Sequence, residues 1–215
     1  MKNYKKYIFD LDYTLLIPDW SLEDEYFKKI IPINKQEDFF KQKQSILDRY
    51  ELEFSRYDFK SLSNFFKLFG FSLSEEVIKG WMIYNGENIK DIIVDSVFSL
   101  FEYLKFHDKE IVIITNWFSE TQISRLKRAG LYDYIDNIIT GEDSIKPDLK
   151  AFELAVGDTP KEDCIMIGDS IRSDKIGAER ALIDYYIVDK EHSMRDLLQL
   201  VINSKNSEIH LVKKK

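Results

Sequence analysis

Tyr7-Ile8-Phe9-Asp10-Leu11-Asp12-Tyr13-Thr14-Leu15 decides how the rest of the chain is read. The apolar run at its start predicts a strand buried on both faces. It ends on two carboxylates placed two residues apart. Along an extended chain such residues point to the same side, so Asp10 and Asp12 would share one rim. Like charges that close cost free energy unless a cation or a shared proton compensates. The pair therefore points to a divalent metal, with one carboxylate left to attack or to move protons. Taken alone, Asp-x-Asp is more often a solvated loop pair or a helix cap. What tips the reading toward chemistry is a distant set of polar residues at the ends of other strands.

Working outward, four more β-rich runs follow: Ile111 to Ile114, Ile135 to Ile139, Cys164 to Ile167, and Tyr185 to Val188. Helical spacing lies between them. Val97, Leu100, Phe101 and Leu104 recur at three and four residues, and Ile123, Leu126 and Lys127 lead to Gly130 as a C-cap. Pro147 to Val156 and Ser173 to Leu182 also predict helices. Strand–helix alternation from Asp95 onward predicts a doubly wound, Rossmann-like parallel α/β sheet. Ligands in such sheets bind outside the carboxyl ends of the strands. Those ends carry Asp10 and Asp12, then Thr115 and Asn116, then Lys146-Pro147, then Gly168-Asp169-Ser170 with Asp174.

Residues 17–95 break the rhythm. They show no convincing strand and predict helices over Leu22 to Ile31, Glu37 to Tyr50, Phe59 to Phe69 and Glu75 to Tyr84, with a capping pattern at Ser72-Leu73-Ser74-Glu75. Fifteen of the chain's 30 aromatic residues fall in this stretch, enough for a small core of its own. The expected organisation is an α/β core of residues 1–16 and 96–215 with an inserted helical cap, 17–95. Most of the cap aromatics pack its interior; Trp20, Phe54, Tyr57 and Trp81 are the candidates to face a substrate.

Composition narrows the function. The chain has 215 residues, 44% of them hydrophobic, which supports a substantial core. A formal net charge of −7 argues against a nucleic-acid polymer as partner. A short basic tail, with Lys205, Lys213, Lys214 and Lys215 against Glu208, reads as a solvated extension. The single cysteine, Cys164, opens an apolar run and reads as core filler, in keeping with a reducing compartment. No secretory leader and no apolar stretch of ~20 residues is evident, so a cytoplasmic protein without a membrane span is expected. His107, His192 and His210 lie outside every motif and read as surface or packing residues. Oligomeric state is not legible.

These four strand-end motifs resemble those of the haloacid dehalogenase (HAD) superfamily of phosphohydrolases. The inserted helices resemble a type I cap, and Thr115-Asn116 followed by Gln122 to Gly130 is similar to the nucleotidase and sugar-phosphatase branch. The resemblance implies Asp10 as nucleophile, forming an aspartyl-phosphate, and Asp12 as general acid and then base. It implies Mg2+ held by Asp10, Asp169 and the backbone carbonyl of Asp12, with Lys146, Thr115 and Asn116 at the phosphate. Asn116 reads equally well as closing the strand turn. Asp174 stays outside the expected ligand set, as a helix cap or a support for the site.

Three departures stand out: no internal glycine in Gly141-Glu142-Asp143-Ser144-Ile145-Lys146, Ala181-Leu182 where alanine-glycine is common, and bulky Trp117 at the rim. The substrate expected is a small phosphomonoester, with nucleoside monophosphates, sugar phosphates and phosphoglycolate all open. Competing readings are a sugar phosphomutase, a haloacid dehalogenase, and a non-catalytic phospho-binding module.

Overall fold

In chain order, the elements begin with β1 (Lys6–Phe9), β2 (Leu16–Asp19), α1 (Glu23–Lys28), α2 (Ile33–Glu53), α3 (Phe59–Leu68), α4 (Glu75–Asn88), β3 (Lys90–Ile93) and α5 (Val97–Phe106). They continue with β4 (Glu110–Ile114), α6 (Ser119–Arg128), β5 (Asn137–Ile139), α7 (Leu149–Val156), β6 (Cys164–Gly168), α8 (Ile176–Ala181), β7 (Asp184–Ile187) and α9 (Met194–Val212). The structure is a computed structural model that describes residues 2–212, with side chains for residues 2–204. Lys213, Lys214 and Lys215 of the basic tail lie outside the described residues, as do the side chains of Lys205, Glu208 and His210.

Among the described residues five strands form one parallel sheet in the order β5-β4-β1-β6-β7. β1 lies at its centre, with Tyr7 opposite both Ile111 and Ile165. Alternate residues of the central strands go to opposite faces. Tyr7, Phe9, Ile111, Ile113, Ile165 and Ile167 join Phe101, Leu104 and Leu197 in one core cluster. Ile8, Val112, Ile114 and Met166 join Phe152 and Ala178 in another. Both faces are covered by helices, which is why the strands read as unbroken apolar runs. The expected doubly wound α/β sheet is thus observed. Cys164 is buried in the second cluster, and burial pushes its thiol up to about 11.

The stretch from 17 to 95 differs from expectation in one respect. β2 and β3 pair antiparallel, with Leu16 opposite Ile93 and Pro18 opposite Asp91. Leu-Ile-Pro-Asp is too short and too proline-broken to announce a strand. In a two-stranded ribbon, however, each strand is an edge, and an edge tolerates proline. Helices α1 to α4 lie between the two strands. Asp58 and Ser74 cap α3 and α4 by accepting from the backbone N–H of Ser61 and Val77. Phe27, Phe39, Phe66 and Trp81 build an aromatic core there, joined by Phe118 and Ile145 from the loops after β4 and β5.

Helix α4 lies directly on α6. At Gly86 an added Cβ would stand 2.9 Å from Ser124 Cβ, so only glycine permits this approach. Ser124 Oγ donates to the Gly86 carbonyl and Thr121 Oγ1 to that of Met82, both at 2.9 Å. Among the described residues no helix is long and apolar enough to cross a membrane.

Candidate active site

Beyond Phe9 the β1 ladder continues by one step: the Asp10 N–H donates to the Ile167 carbonyl at 2.8 Å, setting Asp10 beside the end of β6. The chain then turns away through Tyr13, whose backbone is left-handed (φ 63°). This turn brings Thr14 back over the site. Its hydroxyl lies 3.0 Å from Asp10 Oδ2 and 3.4 Å from Asp169 Oδ1.

Lys146 reaches in from the loop after β5. Its ammonium lies 2.5 Å from Asp10 and 2.7 Å from Asp174, all three side chains nearly enclosed. Asn116 anchors that lysine: its Oδ1 accepts from Lys146 N at 2.6 Å and its Nδ2 donates to Lys146 O at 3.0 Å. The missing glycine in 141–146 does not keep Lys146 from Asp10. The amide of Asn116 thus makes turn-closing contacts, and the residue also lines the cavity.

Carboxylate oxygens of Asp10, Asp169 and Asp174 lie within 4.8 Å of one another. Asp174 was expected outside the ligand set, yet it is fully buried in this cluster. Three carboxylates this close together are the hard oxygen donors that a divalent cation takes. Burial pushes the Asp10 carboxyl up to about 7; Lys146 opposes this, and Asp174 and Asp12 add to it. Asp169 is raised as well, by burial and then by Asp174. Burial works against the charge of Lys146, but Asp10 and Asp174 outweigh it and hold the ammonium above the ordinary lysine range. One lysine facing three carboxylates leaves negative charge uncompensated, which is the electrostatic setting a divalent cation fits.

Asp174 stands where it does because residue 168 has no side chain. An added Cβ would lie 2.3 Å from Asp174 Oδ2 and 2.5 Å from its Cγ. A π-type turn, Ile171–Lys175, then carries Asp174 inward, and its carboxylate accepts from Ser170 N at 3.0 Å. Gly168→Ala is therefore expected to cost about 1–3 kcal/mol through overpacking and to weaken divalent-ion binding. Thermal melts with and without the ion check both effects. An unchanged melting point would contradict this account of Gly168.

Asp12 is held by residues that the sequence did not single out. Arg125 Nη2 lies 2.6 Å from its Oδ1, and Gln122 Nε2 donates to its Oδ2 at 3.0 Å. The same Gln122 nitrogen donates to Thr115 Oγ1 at 2.8 Å. Thr121, Gln122, Arg125 and Leu126 are the buried residues of α6; of the positions whose spacing predicted this helix, Leu126 is buried, Ile123 half-buried and Lys127 exposed. A run of Arg125, Lys127 and Arg128 near a helix C-terminus reads as solvated charge favoured by the helix dipole. Burial of Arg125 depends on acids far away in sequence.

A cavity of about 540 Å³ opens over these groups and contains Asp10, Asp12, Thr115, Asn116, Lys146, Asp169 and Asp174. Trp20, Lys43, Glu51, Tyr57 and Trp117 line it as well. Of the four aromatic candidates, Trp20 and Tyr57 face this space. Trp81 is buried, its indole N–H donating to Glu23 at 2.8 Å, and Phe54 stacks on Tyr50 at 4.3 Å. Trp117 both lines the cavity and packs edge-on against Tyr57 and Trp81. Glu51 was not anticipated; it accepts from the Tyr57 hydroxyl at 2.9 Å, and burial raises its carboxyl. His107 stacks on Tyr103 and His192 pairs with Asp189, both away from the cavity.

The model of the family described as Haloacid dehalogenase-like hydrolase matches residues 7–188. Pyrimidine 5'-nucleotidase YjjG of Escherichia coli is 39% identical over 77 residues, 34% of this chain and 34% of that protein. Ribulose-1,5-bisphosphate 5-phosphatase of Halopiger xanaduensis is 30% identical over 92 residues, 41% of this chain and 38% of that protein. The matched stretches thus span less than half the length of these curated relatives. The HAD-hydrolase YfnB of Bacillus subtilis bound to magnesium shares the fold, with a TM-score of 0.66 at 20% identity over 93% of this chain and 99% of that one.

Proposed function

This chain belongs to the haloacid dehalogenase-like hydrolases, and from that premise we propose that it is a Mg2+-dependent phosphatase of a small phosphomonoester, a nucleotide or sugar phosphate, working through an aspartyl-phosphate on Asp10. The observation that carries this reading is the convergence of Asp10, Asp169, Asp174 and Lys146 beneath one cavity, with Asp12 beside them. Similarity to a nucleotidase and to a sugar-bisphosphate phosphatase supports the substrate class. The expected partner is a small phosphorylated metabolite of the cytoplasm, not a nucleic-acid polymer or a membrane.

Asp10, Asp169 and Asp174 would hold the Mg2+, which would supply charge neutralisation between Asp10 and a dianionic phosphate. The backbone carbonyl of Asp12 would be a further ligand, as the family resemblance implies. Asp10 attacks phosphorus, and the bond to the leaving oxygen breaks as Asp12 gives that oxygen a proton. Asp12 then takes a proton from the water that hydrolyses the aspartyl-phosphate. Lys146 offsets charge on the phosphoryl oxygens. Thr115 Oγ1 accepts from Gln122, which leaves its own O–H free to donate to a phosphate oxygen. A dehalogenase of the same fold would need neither Asp12 nor the Asp169 cluster.

The purified protein is expected to hydrolyse p-nitrophenyl phosphate with Mg2+, and chelation is expected to lower the rate by at least about 10²-fold. A panel of nucleoside monophosphates and sugar phosphates then ranks substrates. Full activity in a chelator, or halide release from a 2-haloacid in place of phosphate release, would overturn the reading.

A further inference from the structure

Arg125 is completely buried in α6, where an unmatched guanidinium would be costly. Asp91 of β3 meets it with a two-pronged contact: Nη2 to Oδ1 at 2.6 Å and Nε to Oδ2 at 3.1 Å. The Trp20 ring lies under the guanidinium carbon at 5.2 Å. One carboxylate and one aromatic face would already account for one buried cation. Arg125 nevertheless makes a second ionic contact, 2.6 Å to Asp12, on the cavity wall.

Its remaining donor reaches the other oxygen of Asp12 indirectly. Arg125 Nη1 donates to Gln122 Oε1 at 2.7 Å, which obliges the Gln122 amide to turn its NH2 the other way. That NH2 is the group that donates to Asp12 Oδ2 and to Thr115 Oγ1. Arg125 thus acts on both oxygens of Asp12, on Oδ1 by charge at 2.6 Å without an aligned hydrogen bond and on Oδ2 through Gln122. Among the described residues the Asp12 carboxylate has no other partner. A lysine could not do this, because its point charge lacks the planar fork that bonds Asp91 and Gln122 at once while keeping its charge against Asp12.

We propose that Arg125 is a positioning residue for the proposed phosphatase reaction, aiming the Asp12 carboxylate directly and fixing the Gln122 amide that links Asp12 to Thr115. This rests on the acid–base role of Asp12 given above, and the test separates the two. The leaving oxygen of an alkyl phosphate needs the proton from Asp12; that of p-nitrophenyl phosphate does not. In Arg125→Lys, kcat/KM for an alkyl phosphate such as glycerol phosphate is expected to fall about 10²-fold. For p-nitrophenyl phosphate it is expected to fall less than about tenfold. Release of p-nitrophenol should then show a burst, because breakdown of the aspartyl-phosphate still requires Asp12 as base. Adding Arg125→Lys to Asp12→Ala should change nothing further.

Gln122→Leu leaves the Arg125–Asp91 pair intact and is expected to give the same leaving-group pattern, so an unfolded Arg125→Lys does not end the test. Equal losses on both substrates, or additive losses with Asp12→Ala, would overturn the positioning role. A wild-type protein that cleaves neither of these nor any member of the nucleotide and sugar-phosphate panel refutes the phosphatase reading itself.

Discussion

Asp10→Asn is expected to lower phosphatase turnover by at least about 10⁴-fold while leaving the fold intact. The amide matches the carboxylate in shape and can turn its oxygen to Lys146 while its NH2 donates to the Thr14 hydroxyl, but that oxygen is a far weaker nucleophile. Stability should not suffer. Asp10 is buried against Asp174, and burial already pushes its carboxyl up to about 7, so the anion is an unfavourable occupant without a cation. Neutralising it leaves Lys146 paired with Asp174 at 2.7 Å. The melting point of Asp10→Asn without metal should therefore equal or exceed that of the parent. Quenching the Asp12→Ala variant during turnover and digesting it should show a phosphate adduct on the peptide that carries Asp10. Residual turnover above about one per cent in Asp10→Asn, or an adduct on another peptide, would remove Asp10 from its assigned role.

Much of this site can be read from strand ends. β1, β4 and β6 are central strands, so their sequences must be apolar on both faces, and the first polar residues after them mark the ligand edge. Asp10, Thr115 and Asp169 were legible for that reason, and Lys146 by its place ahead of a helix. What escaped notice depends on contacts that exist only after folding. β2 and β3 are four-residue strands whose partners lie across the whole helical segment. Asp174 looks like a helix cap, and it does accept from Ser170 N, but the turn at Ile171–Lys175 also aims it at Lys146. Arg125 looks solvated until Asp91 and Asp12 are brought to it. Polar residues inside an otherwise amphipathic helix were the available signal: Gln122 and Arg125 stand three apart, on one face.

Melting curves with and without Mg2+ should separate the roles of Lys146 and Asp169. At about a hundredfold excess over its dissociation constant, an ion that binds only the folded chain adds about 2.7 kcal/mol. For a chain of this size that is roughly 5–10 °C in melting point. Lys146→Met removes the ammonium that lies 2.5 Å from Asp10 and 2.7 Å from Asp174, leaving two enclosed carboxylates unpaired. Breaking a buried ion pair in this way costs about 3–5 kcal/mol, so the metal-free variant should melt roughly 6–20 °C below the parent. Its response to Mg2+ should be larger than the parent's, because the ion would then be the one cation offsetting both carboxylates. Asp169→Asn should do the reverse. Asp169 is the least enclosed of the three and its principal charged neighbour is Asp174, so losing its charge removes no favourable pairing and leaves the metal-free melting point at or slightly above the parent's. The gain on adding Mg2+ should nearly vanish. The two variants therefore move in opposite senses along the same two axes, which a general loss of packing cannot imitate. A Lys146→Met protein indifferent to Mg2+, or an Asp169→Asn protein that keeps the full shift, would mean that the cation does not sit among Asp10, Asp169 and Asp174.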